Sequence, residues 1–155
     1  MIEIWIPHEP VSKQRPRSAK GGRTYTPEKT RNFEKKVREF VEAWLSVRMK
    51  KPPLYEQGVA LSVIAIFYFD RPNYLLKKSV KDEALWHSKG KDIDNLSKSL
   101  LDALNGVIWY DDAQISALHL QKFYVARGGE SGIRLFVNES SEDEKFGGDN
   151  ERESD

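Results

Sequence analysis

The sequence predicts an α+β domain of two layers, with elements in the order β-α-β-α-β-β and both helices on one face of a small mixed sheet. Three observations carry that expectation. Two segments repeat apolar residues every three or four positions, as an amphipathic helix does: Phe33, Val37, Phe40, Val41, Trp44, Leu45 and Val47, then Leu96, Leu100, Ala103, Leu104 and Val107. Four shorter segments are β-rich and bounded by Gly, Pro, Asp or Asn. At 155 residues, 39% hydrophobic and 32% charged, the chain suits one domain with a real core.

Each element has its own local cause. Residues 2–6 read I-E-I-W-I and alternate as a strand. Residues 7–26 carry Pro7, Pro10, Pro16, Gly21 and Gly22 without periodicity, which makes a long loop of the kind that is functional or disordered. Thr26 offers an N-cap and Pro27 a first helical position for a helix that ends near Arg48, where Lys51-Pro52-Pro53 stops it. Residues 59–69 form a strand buried on at least one face. Residues 70–91 form an extended polar loop with room for a short helical turn, and 95–107 the second helix. Residues 115–125 and 132–138 are strands joined through Arg127-Gly128-Gly129-Glu130-Ser131-Gly132 in a hairpin-type connection. Trp5 and Trp44 are expected in the core. Residues 1–138 then make one domain, and 139–155 an acidic, disordered tail.

Several classes are set aside by composition. With zero cysteines there are no disulfides, thiolate metal sites or Cys nucleophile. No run approaches the ~18 apolar residues of a membrane span, and no charged-then-apolar leader opens the chain, so a cytoplasmic protein without membrane contact is expected. The net charge of +1 hides an asymmetry: from Glu139 onward two basic residues face eight acidic ones, which leaves +7 on the body. An acidic tail on a basic body suits a body that binds a polyanion, or a tail that only aids solubility.

The chemistry-bearing residues are Asp92-Ile93-Asp94-Asn95-Leu96-Ser97-Lys98 and, downstream, Asp111-Asp112. On a helical wheel the leucine stripe faces the core, while Lys98 and Asp102 point away from it, with Asp94 and Asn105 at the edge. Asp92, Asp94 and Asp112 are hard oxygen donors that together can hold a divalent cation, and Lys98 stands four residues from Asp94. A helix start adds the positive end of the dipole, which favours a phosphate. Each residue also has an ordinary reading: Asp94 as an N-cap, Asp94 and Lys98 as a surface ion pair, Asp111-Asp112 as a turn. Other D-x-D chemistries fit less well. An aspartyl-nucleophile phosphohydrolase needs the motif after an apolar strand, a calcium loop needs glycine where Ser97 stands, and a sugar transferase needs a larger nucleotide-binding domain.

Basic residues collect in the first loop and its exit, with Lys13, Arg15, Arg17, Lys20 and Arg23 ahead of the first helix. Arg and Lys that neutralise phosphates supply sequence-independent, salt-sensitive affinity. A second group, Arg71, Lys77, Lys78, Lys81, Lys89 and Lys91, leads into Asp92. His87 is the histidine nearest the acids.

At these residues the chain resembles the RusA family of Holliday junction resolvases over residues 2–138. The resemblance rests on Asp92-Ile93-Asp94-Asn95-Leu96, Lys98, the run Leu101-Asp102-Ala103-Leu104-Asn105-Gly106-Val107, and Asp111-Asp112-Ala113-Gln114-Ile115. Lys13-Gln14-Arg15-Pro16-Arg17 and Gly22-Arg23-Thr24-Tyr25 are similar to the family's first loop. It implies that Asp92, Asp94 and Asp112 hold Mg²⁺, or Mn²⁺ in its place, and that Lys98 is the catalytic lysine. It implies a homodimer that makes paired symmetric nicks in four-way junctions during DNA recombination and repair. Lys13, Arg15, Arg17, Arg23 and Lys91 are then the expected DNA contacts. Asp102 is expected to orient Lys98, and Asp111 to orient Asp112 or a metal-bound water. Ile108, Trp109 and Ile115 offer apolar surface for a dimer, unless Trp109 is core. Two other functions fit the same residues: a non-catalytic nucleic-acid-binding module, and a metal-dependent nucleotide phosphohydrolase.

Overall fold

The computed structural model describes residues 1–147 apart from the side chain of Arg17, so that expected DNA contact and the last part of the expected tail, 148–155, lie outside what is described. The chain enters as β1 (Ile2–Ile6), makes a small separate hairpin from β2 (Arg17–Ser18) and β3 (Thr24–Tyr25), and then forms α1 (Glu28–Val47). β4 (Leu61–Phe69), β5 (Leu85–Trp86), α2 (Ile93–Ala103), β6 (Ile115–Tyr124) and β7 (Gly132–Glu139) follow. The main sheet is open and mixed, in the order β1-β7-β4-β6-β5, with β4 parallel to β6 and its other pairings antiparallel. The α+β class, the small mixed sheet and the two helices are as the sequence predicts.

The hairpin between the last two strands is not. β6 and β7 do not pair with each other, because β4 lies between them. β4 is β-branched or aromatic over most of its length, and Leu61, Val63, Ala65, Phe67 and Phe69 are buried on one face. Such a strand leaves no backbone group unpaired only when both edges have neighbours. The seven residues 125–131 therefore pass over the end of β4, where the Val125 N–H donates to the Phe69 carbonyl at 2.9 Å. They are too many for the two- to five-residue loops usual in hairpins.

The helices share one face for a topological reason. From β1 to β4 and from β4 to β6 the chain steps the same way across the sheet, and connections of one hand that step the same way lie on the same side. α1 buries Phe33, Val37, Val41 and Leu45, and α2 buries Leu96, Leu100 and Ala103, against the inward residues of β1, β4 and β7. On the far face of the sheet Trp5 is 37% exposed, so it is not the core residue the sequence suggests. Trp109 and Ile108 are fully buried in the core, which removes them as a dimer surface, and Ile115 is partly buried against that core.

Element ends differ for local reasons. Pro27, not Thr26, takes the N-cap position of α1 (φ −53°, ψ 144°) with no side-chain cap. α2 starts two residues early, at Ile93, and stops at Ala103, short of Val107. Gly106 ends it with φ +77° and donates its N–H to the Trp109 carbonyl at 2.7 Å. Leu104 and Val107 remain buried in the turn, so the apolar period outlasts the helix. Glu139 closes β7 rather than opening a tail, and Glu142–Glu144 add a 3₁₀ turn in which the Glu144 carboxylate accepts from Ser141 and Asn138.

The long 70–91 segment contains one 3₁₀ turn (Asn73–Leu75) and β5, and Arg71 holds it in place. Its guanidinium donates to the carbonyls of Val125 (2.7 Å), Leu75 (2.9 Å), Lys81 (2.7 Å) and Glu83 (2.7 Å). Arg71 is buried, so it does not belong to the DNA-facing basic group. Hydrogen bonds to a charged donor are worth roughly 1.5–3 kcal/mol each. Arg71→Ala is therefore expected to lower unfolding free energy by about 3 kcal/mol in urea titration. Arg71→Lys should recover less than half of that loss, because a point ammonium cannot replace the planar fork.

Candidate active site

The first turn of α2 is built by the chain that leads into it. Lys91 adopts φ +35°, a left-handed conformation that costs a non-glycine residue energy, and so turns the backbone toward Asp92. Lys122 of β6 fastens this turn, its Nζ donating to the carbonyls of Gly90 (3.0 Å) and Lys91 (2.8 Å). Sequence reasoning missed Lys122. The available signal was a lysine at an inward position of a strand, in register with Phe67. The Lys91 side chain lies with its Nζ 5.6 Å from the Phe69 ring centre and is exposed. His87 is buried, stacked on Tyr124 with ring centres 4.1 Å apart. Burial first, then the charges of Lys122 and Lys91, hold its pKa below the ordinary histidine value, so it is a packed neutral residue near neutral pH.

Asp92 occupies the N-cap position of α2 without a side-chain cap, and Asp94 lies in the first turn. Neither carboxylate accepts a hydrogen bond from another described residue; Asp94 uses only its backbone carbonyl, toward Ser97. The capping reading therefore does not account for these two charges. Lys98 follows one turn on, exposed, and is in no ion pair among the described residues.

Asp112 arrives from the other end of the same crossover. Asn105 is the hub that places it: its Oδ1 accepts from the Asp112 N–H and from Trp109 Nε1, both at 3.0 Å, while its carbonyl accepts from Arg38 at 2.8 Å. Asp111 caps the 3₁₀ turn Asp112–Gln114, its Oδ1 accepting from the Ala113 N–H at 2.8 Å and its own N–H donating to Gln114 at 3.0 Å. Asp112 is half-buried. Burial, a hydrogen bond with Asp111 and the charges of Asp102 and Asp111 raise its pKa, and Lys98 pulls the other way. Asp112 is thus near enough to Lys98 and Asp102 to feel their charges.

Among the described residues no three carboxylates or imidazoles form a closed ligating cluster. Mg²⁺ does not need one, since it commonly binds through one or two carboxylates with water and substrate phosphate as its other ligands. The donors here are all oxygen, two carboxylates are without partners, and Asp102, Asp111 and Asp112 crowd negative charge. The donor set fits a hard divalent cation.

Two expected roles change. Lys13 is not a free DNA contact: its Nζ pairs with Glu34 Oε1 at 2.5 Å and Asp102 Oδ2 at 3.3 Å. Burial works against its charge, but those two carboxylates outweigh it and raise its pKa. Asp102 accordingly pairs with Lys13 rather than Lys98. The surrounding segment is sewn to both helices. The Lys13 N–H donates to Asn95 O at 2.8 Å, Ser99 Oγ to Val11 O at 2.5 Å, and the Gln14 N–H to Thr30 Oγ1 at 3.2 Å. From this root the β2–β3 hairpin projects with Arg15 and Arg23 exposed, starting beside the first turn of α2.

Lys13→Met is expected to lower unfolding free energy by about 1–2 kcal/mol, between the values for exposed and buried ion pairs. It should leave the salt dependence of DNA binding unchanged, since Lys13 neutralises no phosphate. Urea titration and binding isotherms over a salt series check both parts.

Comparison with known proteins shows two similarities. The chain is 29% identical over 150 residues to the Uncharacterized protein YqaN of Bacillus subtilis (strain 168), covering 90% of this chain and 97% of that relative. Residues 7–135, which include both helices, the basic hairpin and all four of Asp92, Asp94, Lys98 and Asp112, match the family described as Endodeoxyribonuclease RusA. The chain therefore belongs to the RusA endodeoxyribonuclease family, hydrolases that cut within DNA strands.

Proposed function

We propose that this protein is a Mg²⁺-dependent resolvase of four-way DNA junctions, acting as a homodimer that makes paired nicks during recombination and repair. The observation that carries the reading is the pair of unpartnered carboxylates, Asp92 and Asp94, one turn from the unpaired Lys98 and beside the root of an exposed arginine hairpin. Asp92 and Asp94 hold no other side chain or cap in the described chain, so both are free to take a ligand.

Asp92, Asp94 and Asp112 would hold the cation, and Arg15, Arg17, Arg23 and Lys91 would meet phosphates flanking the cut. When bound, Mg²⁺ supplies Lewis-acid polarisation of a phosphoryl oxygen and makes water more acidic. Lys98 offsets negative charge that develops on the phosphate oxygens as the bond breaks. The α2 N-terminus adds dipolar attraction for the same phosphate. Asp111 and Asn105 fix the backbone on which Asp112 sits, and Lys122 fixes the turn before Asp92. A junction offers two equivalent strands, which a twofold pair of identical sites matches.

The direct test incubates the purified chain with synthetic four-way junctions and duplex controls, in Mg²⁺ or in EDTA. Paired nicks in the junction alone, abolished by EDTA, are expected; binding without cleavage would leave a DNA-binding module. Asp94→Asn should reduce cleavage by at least 100-fold while circular dichroism and junction affinity stay near wild type, because asparagine keeps the shape and loses the charge that holds the cation. Arg15→Ala with Arg17→Ala should weaken junction binding and lower the log–log salt slope by roughly one for each phosphate no longer neutralised. An unchanged slope would separate the hairpin from DNA.

A further inference from the structure

Successive residues of a strand point to opposite faces of its sheet, and along β5 and the end of β6 this alternation sorts the aromatic rings into two groups. Phe123 stacks on Trp86 on the side away from the helices, with ring centres 4.4 Å apart. Tyr124 stacks on His87 on the helical side, at 4.1 Å. Phe69, a core residue at the end of β4, meets the His87 ring edge-on at 5.0 Å. Tyr74 carries this second group outward past Tyr124, whose pKa is raised by burial first and then by Tyr74. Lys89 Nζ stands 5.0 Å from the Tyr74 ring centre, and Lys91 Nζ 5.6 Å from that of Phe69. Tyr74 is 47% exposed, both lysines are exposed, and Asp92 follows directly in the chain.

The segment that presents Tyr74 is held from two sides. Tyr74 is the middle residue of the 3₁₀ turn Asn73–Leu75, and Arg71 takes the Leu75 carbonyl at 2.9 Å. Arg127 holds the next stretch, donating to the carbonyls of Lys77 (3.0 Å) and Val80 (2.8 Å), while its N–H donates to Asp82 Oδ1 at 2.8 Å. An exposed ring on so fixed a backbone meets a ligand with little further ordering to do. The charge around it is of one kind. Lys77, Lys78, Lys81, Lys89 and Lys91 are exposed and in no ion pair among the described residues, and Asp82 is turned toward Arg127. An aromatic face ringed by free cations is what sites for unpaired nucleic-acid strands combine.

We propose that Tyr74 is a stacking platform for a DNA base left open at the branch of the substrate, with Lys89 and Lys91 meeting the phosphates between that base and the cut. This rests on the branched-DNA reading above and names the residue that senses the branch. Three residues of chain lead from Lys89 to Asp92, at most about 11 Å, the axial length of about three base pairs. A base on Tyr74 is thus within a few nucleotides of the acids that would hold the cation. Inside a continuous duplex both faces of every base are covered, and the ring finds no partner. At a branch the stack is interrupted and a base face is open.

The test is the affinity of the full chain, in EDTA so that nothing is cut, for a four-way junction, a linear duplex and a single-stranded oligonucleotide over a salt series. Tyr74→Ala should weaken junction and single-strand binding roughly 5-fold or more, the loss of one stacked base. Duplex affinity should stay within about 2-fold, and the log–log salt slope should not move, because a tyrosine ring neutralises no phosphate. Tyr74→Phe should bind as wild type does, since it keeps the ring face. Tyr74→Leu, which keeps apolar packing against Tyr124, should behave as Tyr74→Ala does and secures the comparison if alanine changes the circular dichroism. Lys89→Met should lower the salt slope by about one. Equal losses on junction and duplex, no loss on any DNA, or a Tyr74→Phe protein as weak as Tyr74→Leu overturns the proposal. Junction cleavage in Mg²⁺, read in parallel, separates the two readings. A wild type that makes paired nicks while Tyr74→Leu binds every DNA as it does removes the platform and keeps the resolvase. A wild type that never cuts, yet loses single-strand affinity through Tyr74→Leu and not through Tyr74→Phe, keeps the platform and removes the resolvase.

Discussion

The requirement that β4 be paired along both edges fixes the rest of the domain. It forces β7 to insert between β1 and β4, and it places β6 parallel to β4, a pairing that needs a crossover rather than a turn. That crossover carries α2. The carboxylates at its start, Asp92 and Asp94, and the one beyond its end, Asp112, therefore come from the two ends of one connection. The turn from Asn105 to Asp111 folds the second end back toward the helix, so Asp112 feels the charges of Lys98 and Asp102. The placement of these acids at both ends of the crossover is thus a consequence of how a parallel neighbour is supplied to β4.

The charged residues divide by whether they have partners. Lys13, Arg71 and Lys122 are basic, and each is committed to holding backbone or carboxylate in place. Arg15, Arg23 and Lys98 are basic, exposed and uncommitted among the described residues. The same division separates Asp102 and Asp111, which anchor Lys13 and cap a turn, from Asp92 and Asp94, which anchor nothing. Exposed ion pairs contribute little to stability, so the unpartnered charges of both signs along α2 are free to meet a ligand.

Much of this was legible in the sequence, and the failures have physical causes. The period-2 pattern of residues 2–6 and the period-3.6 stripes of both helices survive as buried faces, because burial acts on the same periodicity that the sequence displays. Strand neighbours are a long-range property, and nothing in the 115–138 stretch indicates that β4 will lie inside it. Lys13 read as a DNA contact, and Arg71 as one of a basic group, because composition counts a charge without its partner; Glu34, Asp102 and the carbonyls of Lys81, Glu83 and Val125 lie ten or more residues away along the chain. Lys122 was invisible as a placing residue for the same reason, whereas the bonds of Asn105 to Trp109 and Asp112 are local but depend on the shape of the turn. Asp92, Asp94 and Lys98 stand out in the sequence because their spacing is local, and Asp112 because its chemistry matches theirs.

The site is rigid where backbone is concerned and open where ligand is concerned. Asn105 fixes the amide of Asp112, Lys122 the turn before Asp92, and the root at residues 11–14 joins α1 to α2. The Asp92 and Asp94 carboxylates are held by none of these bonds. A frame that fixes main chain while leaving charged side chains unsatisfied meets most of the entropic cost of assembling the site during folding. On the proposed function, what remains is to bring cation and phosphate together: the cation would neutralise the carboxylates, and the phosphate would neutralise Lys98 and the helix start. Cation and DNA binding should accordingly favour one another, since either ligand alone leaves one sign of charge exposed. That coupling follows from the arrangement of α2 itself, and it does not depend on how many copies of the chain assemble.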